Sequence, residues 1–126
     1  MSAKGYASYA QNNIQVESPT KLIEMLFEGL LRFVSQAKKS MEEDDIEKQV
    51  YWINRSVDIF TELISSLDFD NEENLQMANY LNGLYTYQIK LLTEANIDGE
   101  AEKLDTVLKV VRGLLEAWKE ETGAEA

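Results

Sequence analysis

Apolar residues recur at steps of three and four in four separate stretches of the chain, each bounded by polar or turn-forming residues. The first carries Leu22, Leu26, Leu30, Phe33, Ala37 and Met41, widened by Ile23, Phe27 and Val34. That spacing lays one apolar stripe along a helix. Ser18 and Pro19 precede it. A serine N-cap satisfies an orphan amide, and a proline in the first helical position loses nothing by lacking an N–H, so a helix is predicted from Pro19 to about residue 42.

Asp44 with Glu47 fits an acidic capping box ahead of the second stretch. There Ile46, Val50, Ile53, Val57, Phe60, Ile64 and Leu67 alternate steps of four and three, the pattern of a core seam. The polar run "SLDFDNEEN" predicts a turn. Met77, Ala78, Leu81, Leu84, Tyr85, Leu92 and Ala95 mark a third helix ending at "ANIDG", where Asp98 is placed to cap the next. Leu104, Val107, Leu108, Val111, Leu114, Leu115 and Trp118 mark the fourth. The prediction is an all-α fold: an antiparallel up-down four-helix bundle over residues 18–120, an N-terminal arm over 1–17 folded across it, and a polar tail over 121–126. Gly29, Gly83 and Gly113 fall inside predicted helices, at about 1 kcal/mol each relative to Ala, and are expected to allow close helix approach.

Composition narrows the function. The 126 residues include 23 acids and 12 bases, for a net charge of −11. Such a surface repels phosphate backbones and anionic membranes, so nucleic acid is excluded as a partner. No apolar run reaches membrane-spanning length and no signal-peptide core is evident, so the expectation is a cytosolic protein without membrane insertion. There is no His and no Cys. Haem ligation, Glu-x-x-His di-iron sites, phosphotransfer histidines, zinc sites and thiolate nucleophiles all lose their residues. The carboxylates show no patterned loop for a hard cation and read as a solvated face. The chain is expected to be neither an enzyme nor a cofactor or metal protein.

Some large apolar residues remain beside the core stripes. Trp52, Ile59 and Leu63 form a second stripe on helix two, and Tyr80, Leu84, Tyr87 and Leu91 one on helix three. Adjacent apolar stripes suggest a groove for an amphipathic or extended partner segment. Tyr6, Tyr9, Ile14 and Val16 cannot form a core alone. They can fold back over such a surface at high effective concentration and yield to a longer partner, or close one end of the bundle core. Stripes of this kind also suit a homodimer seam, which leaves a structural or assembly protein as the alternative.

"SPTKLIEMLFEGLLRF" from Ser18, "ELISSLD" ending at Asp68, "YLNGLYTYQIKLLTEAN" from Tyr80 and "LLEAW" ending at Trp118 resemble, in order and spacing, the signatures of the flagellar secretion chaperone family FliS. The resemblance covers nearly the whole chain, including the tyrosine-bearing arm with Tyr6 and Tyr9. It implies a cytoplasmic, non-enzymatic chaperone with the bundle fold, which binds the disordered C-terminal segment of flagellin and prevents premature polymerisation. The client would wrap around the bundle, with the arm covering part of the apolar surface in its absence. The resemblance further implies docking on a component of the flagellar type III export gate, and contacts with other flagellar assembly factors or a co-chaperone. It assigns partner binding to the arm (Tyr6, Tyr9, Ile14, Val16), while the stripes supply the groove candidates Trp52, Ile59, Leu63, Tyr80, Tyr87 and Leu91. The chain departs from the family pattern in three places: Asn74, Leu75 and Gln76 replace Gly-Gly-Glu, Tyr80 replaces an asparagine, and Phe27 replaces a tyrosine.

Overall fold

A computed structural model describes residues 18–123, and the arm residues Tyr6, Tyr9, Ile14 and Val16 lie outside that span. Helices α1 (Pro19–Glu42), α2 (Ile46–Ser65), α3 (Leu75–Asp98) and α4 (Ala101–Thr122) follow one another with short connections. The start of α1 is as predicted: the Ser18 hydroxyl accepts from the Lys21 amide at 3.3 Å and Pro19 opens the helix. The cap of α2 is one residue later than the capping-box reading. Asp45 accepts from the Lys48 amide at 3.1 Å, while Asp44 takes a left-handed conformation, φ 56°, to turn the chain. Asp98 does not cap α4. It is the last residue of α3, Gly99 follows with φ 71°, and the Asp98 carboxylate accepts from Lys103 Nζ at 3.0 Å.

Each helix packs against its two neighbours in a ring, α1 on α2 and α4, α3 on α2 and α4. Partner residues run in opposite directions. Gln49 near the start of α2 meets Asn96 near the end of α3, Phe60 meets Tyr85 further along, and Trp118 at the end of α4 meets Thr20 at the start of α1. The described helices therefore form the antiparallel up-down bundle that the patterning predicts.

The core contains Leu26, Leu30, Val34, Ile53, Ile59, Phe60, Leu63, Leu92, Leu104, Val107 and Val111, all essentially inaccessible. Full burial of each such aliphatic or aromatic side chain stabilises the fold by about 2 kcal/mol before entropy is counted. The seam of α2 differs from the predicted one. The buried line is Gln49, Ile53, Ser56, Phe60 and Leu63, with Ile59 beside it, whereas Ile46 and Val50 are exposed and Val57, Ile64 and Leu67 half-buried. Two polar residues sit on that line because their polar atoms are paired. Ser56 Oγ donates to the Trp52 carbonyl at 2.9 Å, and Gln49 Nε2 donates to Asn96 Oδ1 at 2.9 Å and the Asn96 carbonyl at 3.3 Å. In α3, Gln88 likewise occupies a core position, while Met77, expected in the core, is exposed at the helix start.

Candidate partner-binding surface

From Leu75 to Thr93 the sequence holds no carboxylate and one base, Lys90, in a chain whose net charge is −11. This run builds most of α3, so one helix of an acidic bundle presents a surface free of carboxylates. Tyr80, Gly83 and Tyr87 succeed one another at steps of three and four, and so share one edge of that helix. Tyr80 is 64% exposed and Tyr87 52%. Between them Gly83 is bare: a Cβ there would meet no atom within 4 Å. The Lys90 ammonium lies 6.0 Å from the Tyr87 ring centroid, a cation over the aromatic face.

The facing edge of α4 is set by an ionic hinge. Lys103 Nζ sits 3.0 Å from Asp98, 3.4 Å from Glu94 and 3.9 Å from Glu100, and the Asp98 hydrogen bond is the main cause holding its pKa above the usual lysine value. Stepping back along α3 from Glu94 and forward along α4 from Lys103 brings Tyr87 level with Val110 and Leu84 level with Gly113. Val110, Leu84 and Leu114 are half-buried and Leu91 is buried beneath them. Gly113, like Gly83, has nothing within 4 Å of where a Cβ would stand. The two glycines thus open outward on this edge. They do not serve close packing between helices of the chain, as the sequence had suggested.

An apolar floor, two tyrosine walls and two bare backbones make a surface suited to another polypeptide. Nothing in it supplies a nucleophile or an acid–base pair. Among the described residues no group of His, Cys, Asp or Glu could hold a metal ion, and no helix is long and apolar enough to cross a membrane.

The predicted groove residues do not converge. Tyr80 and Tyr87 line the α3/α4 edge. Trp52 is half-buried on the opposite side of the ring, tilted against Phe33 with centroids 5.3 Å apart and edge-on to Tyr51 at 4.9 Å. Ile59, Leu63 and Leu91 are buried and belong to the core cluster rather than to a surface stripe. They were misplaced because Gln49, Ser56 and Gln88 hold core positions that a hydrophobic pattern assigns to solvent. Gly83, Val110, Gly113 and Leu114 were missed as surface residues, although the carboxylate-free run through α3 marks the edge they share.

The sequence profile described as "Flagellar protein FliS" matches residues 2–125. The chain belongs to the FliS family. Among curated FliS proteins, the flagellar secretion chaperone of Campylobacter jejuni is 48% identical over 91% of this chain and 88% of its own length. That of Bacillus subtilis is 28% identical over 95% and 87%. That of Salmonella typhimurium is 29% identical over 94% and 90%. FliS proteins are chaperones, not enzymes, which agrees with the absence of His and Cys.

Proposed function

We propose that this flagellar export chaperone holds the disordered C-terminal segment of flagellin in the cytoplasm, prevents its premature polymerisation and delivers it to the export gate. The observation that carries the reading is the α3/α4 edge, where the exposed Tyr80 and Tyr87 stand on either side of bare Gly83 in a carboxylate-free run. An apolar client segment orders against this edge. Burial at about 25 cal/mol per Å² drives the association, and an ordering cost of several kcal/mol keeps it reversible. The glycines let the client backbone approach closely, as small residues do wherever helices pack tightly. Residues 1–17, with Tyr6, Tyr9, Ile14 and Val16, act as an arm that shields apolar surface until the client displaces it.

Calorimetric titration with the C-terminal segment of flagellin from the same organism tests the proposal. One-to-one binding with a negative heat-capacity change, weakened in a Tyr80→Ser, Tyr87→Ser variant, is the expected result. Absence of binding at tens of micromolar (on the order of 6 kcal/mol) sinks the flagellin assignment. A dimer of the free chain seen by light scattering, with the same tyrosines buried in it, turns the edge into a self-association seam.

A further inference from the structure

At the end of the bundle away from the Lys103 hinge, the loop over residues 66–74 and the first turn of α3 carry Phe69, Leu75 and Met77, exposed by 42%, 37% and 59%. Around them stand Asp68, Asp70, Glu72 and Glu73, all exposed. Among the described residues none of these four carboxylates takes part in an ion pair. From residue 56 to residue 89 the sequence has no Lys or Arg. Three large apolar side chains are thus left in water within a collar of unneutralised negative charge. Asp68 Oδ1 accepts from the Asp70 amide at 2.9 Å and Glu72 and Glu73 lie just ahead of the N-terminus of α3, but a monomer gains nothing from the exposed apolar side chains.

We infer that this tip is a second docking surface, for a cationic amphipathic segment of another protein. Phe69, Leu75 and Met77 take its apolar anchors, and Asp68, Asp70, Glu72 and Glu73 pair with its Lys or Arg side chains. The sign of the collar selects this occupant: anionic lipid and nucleic acid are repelled by it, and so is a second copy of a chain carrying −11. Carboxylates at the rim speed encounter and set specificity, while the apolar centre supplies most of the affinity. The surface adjoins the α3/α4 edge at Tyr80, one turn beyond Met77, and lies about 15 Å along the helix from Tyr87, ten residues beyond Met77. The inference does not depend on flagellin being the client.

The test uses the full chain and two synthetic helical peptides of about four turns, one with leucines on one face and lysines on the other, the second with glutamates for the lysines. The lysine peptide is expected to bind one-to-one and the glutamate peptide to fail. Phe69→Ser with Met77→Ser should weaken the lysine peptide about tenfold or more, the loss of a central anchor pair. A variant with Asp68→Asn, Asp70→Asn, Glu72→Gln and Glu73→Gln should weaken it comparably and flatten its salt dependence. Ile97→Ser, an exposed apolar position at the opposite end, should leave binding unchanged. Circular dichroism on each variant verifies the fold, and the charge variant, which alters no apolar residue, serves if the first unfolds. Equal binding of both peptides, no binding of either, or binding indifferent to the loop substitutions overturns the inference.

Discussion

Trp118 Nε1 donates to the carbonyl oxygen of Thr20 at 3.0 Å, across 98 residues of sequence, and its ring meets Phe27 edge-on with centroids 6.5 Å apart. This single side chain fastens the last turns of α4 to the first turn of α1. Trp118→Phe keeps much of the packing and loses the hydrogen bond, so it should lower unfolding free energy by about 1 kcal/mol. Trp118→Ala should lower it by about 3 kcal/mol. Urea denaturation of the three proteins measures both.

Gly83 and Gly113 have open space where a Cβ would stand. Gly83→Ala and Gly113→Ala should each raise helix and protein stability by about 1 kcal/mol, because nothing in the free chain needs the missing methyl to be absent. If flagellin packs against this edge, the same alanines should weaken it, and Gly83→Gln should do so about tenfold. Thermal unfolding and calorimetry on the same samples separate the two effects.

The Gln88 side chain is buried, with Nε2 donating to the Leu84 carbonyl at 3.3 Å and Oε1 unpaired among the described residues. A buried acceptor left unpaired costs about 1–3 kcal/mol. Gln88→Met, similar in length, should therefore stabilise the bundle by about 1 kcal/mol, raising the denaturation midpoint without changing the slope. Gln49→Met should do the reverse, since Gln49 is paired with Asn96 and its loss strands that amide.

Burial pushes the Tyr85 hydroxyl up to about 12 from the ordinary 10. The folded state holds the phenol proton more tightly than the unfolded chain. This stability is therefore complete below pH 10 and is lost as pH climbs toward 12. The loss amounts to about 3 kcal/mol. Lys103, also raised, loses its ion pairs at high pH in parallel, so the comparison is with Tyr85→Phe. That variant should unfold at a higher pH than the parent in alkaline titration followed by circular dichroism.

Helix number, order and most boundaries were legible in the sequence because Ser18, Pro19, the "SLDFDNEEN" turn and Gly99 act locally, through capping and backbone preference. The rotation of α2 was not. Its apolar residues fit two overlapping faces, and the choice between them is made by Gln49 and Ser56, whose burial is tolerable only because of the Asn96 amide and the Trp52 carbonyl. The first partner is 47 residues away in sequence. The same ambiguity put Ile59, Leu63 and Leu91 on the surface and Ile46 in the core. Tyr80 and Tyr87 were correctly singled out as extra to the core, since no rotation that buries Tyr85, Leu92 and Ala95 also buries them.

The opening of α1 reaches further than its few atoms suggest. Ser18 closes the helix with its own side chain, and Pro19 presents no amide to be satisfied. The start of the helix is thus set by residues belonging to the bundle, through the capped Lys21 amide and the fixed backbone of Pro19. Removing residues 1–17 should leave the helical circular dichroism intact while increasing the fluorescence of an apolar dye. A fusion partner grafted at Ser18 should likewise leave the register of α1 undisturbed, making this end of the molecule a natural place to join another segment.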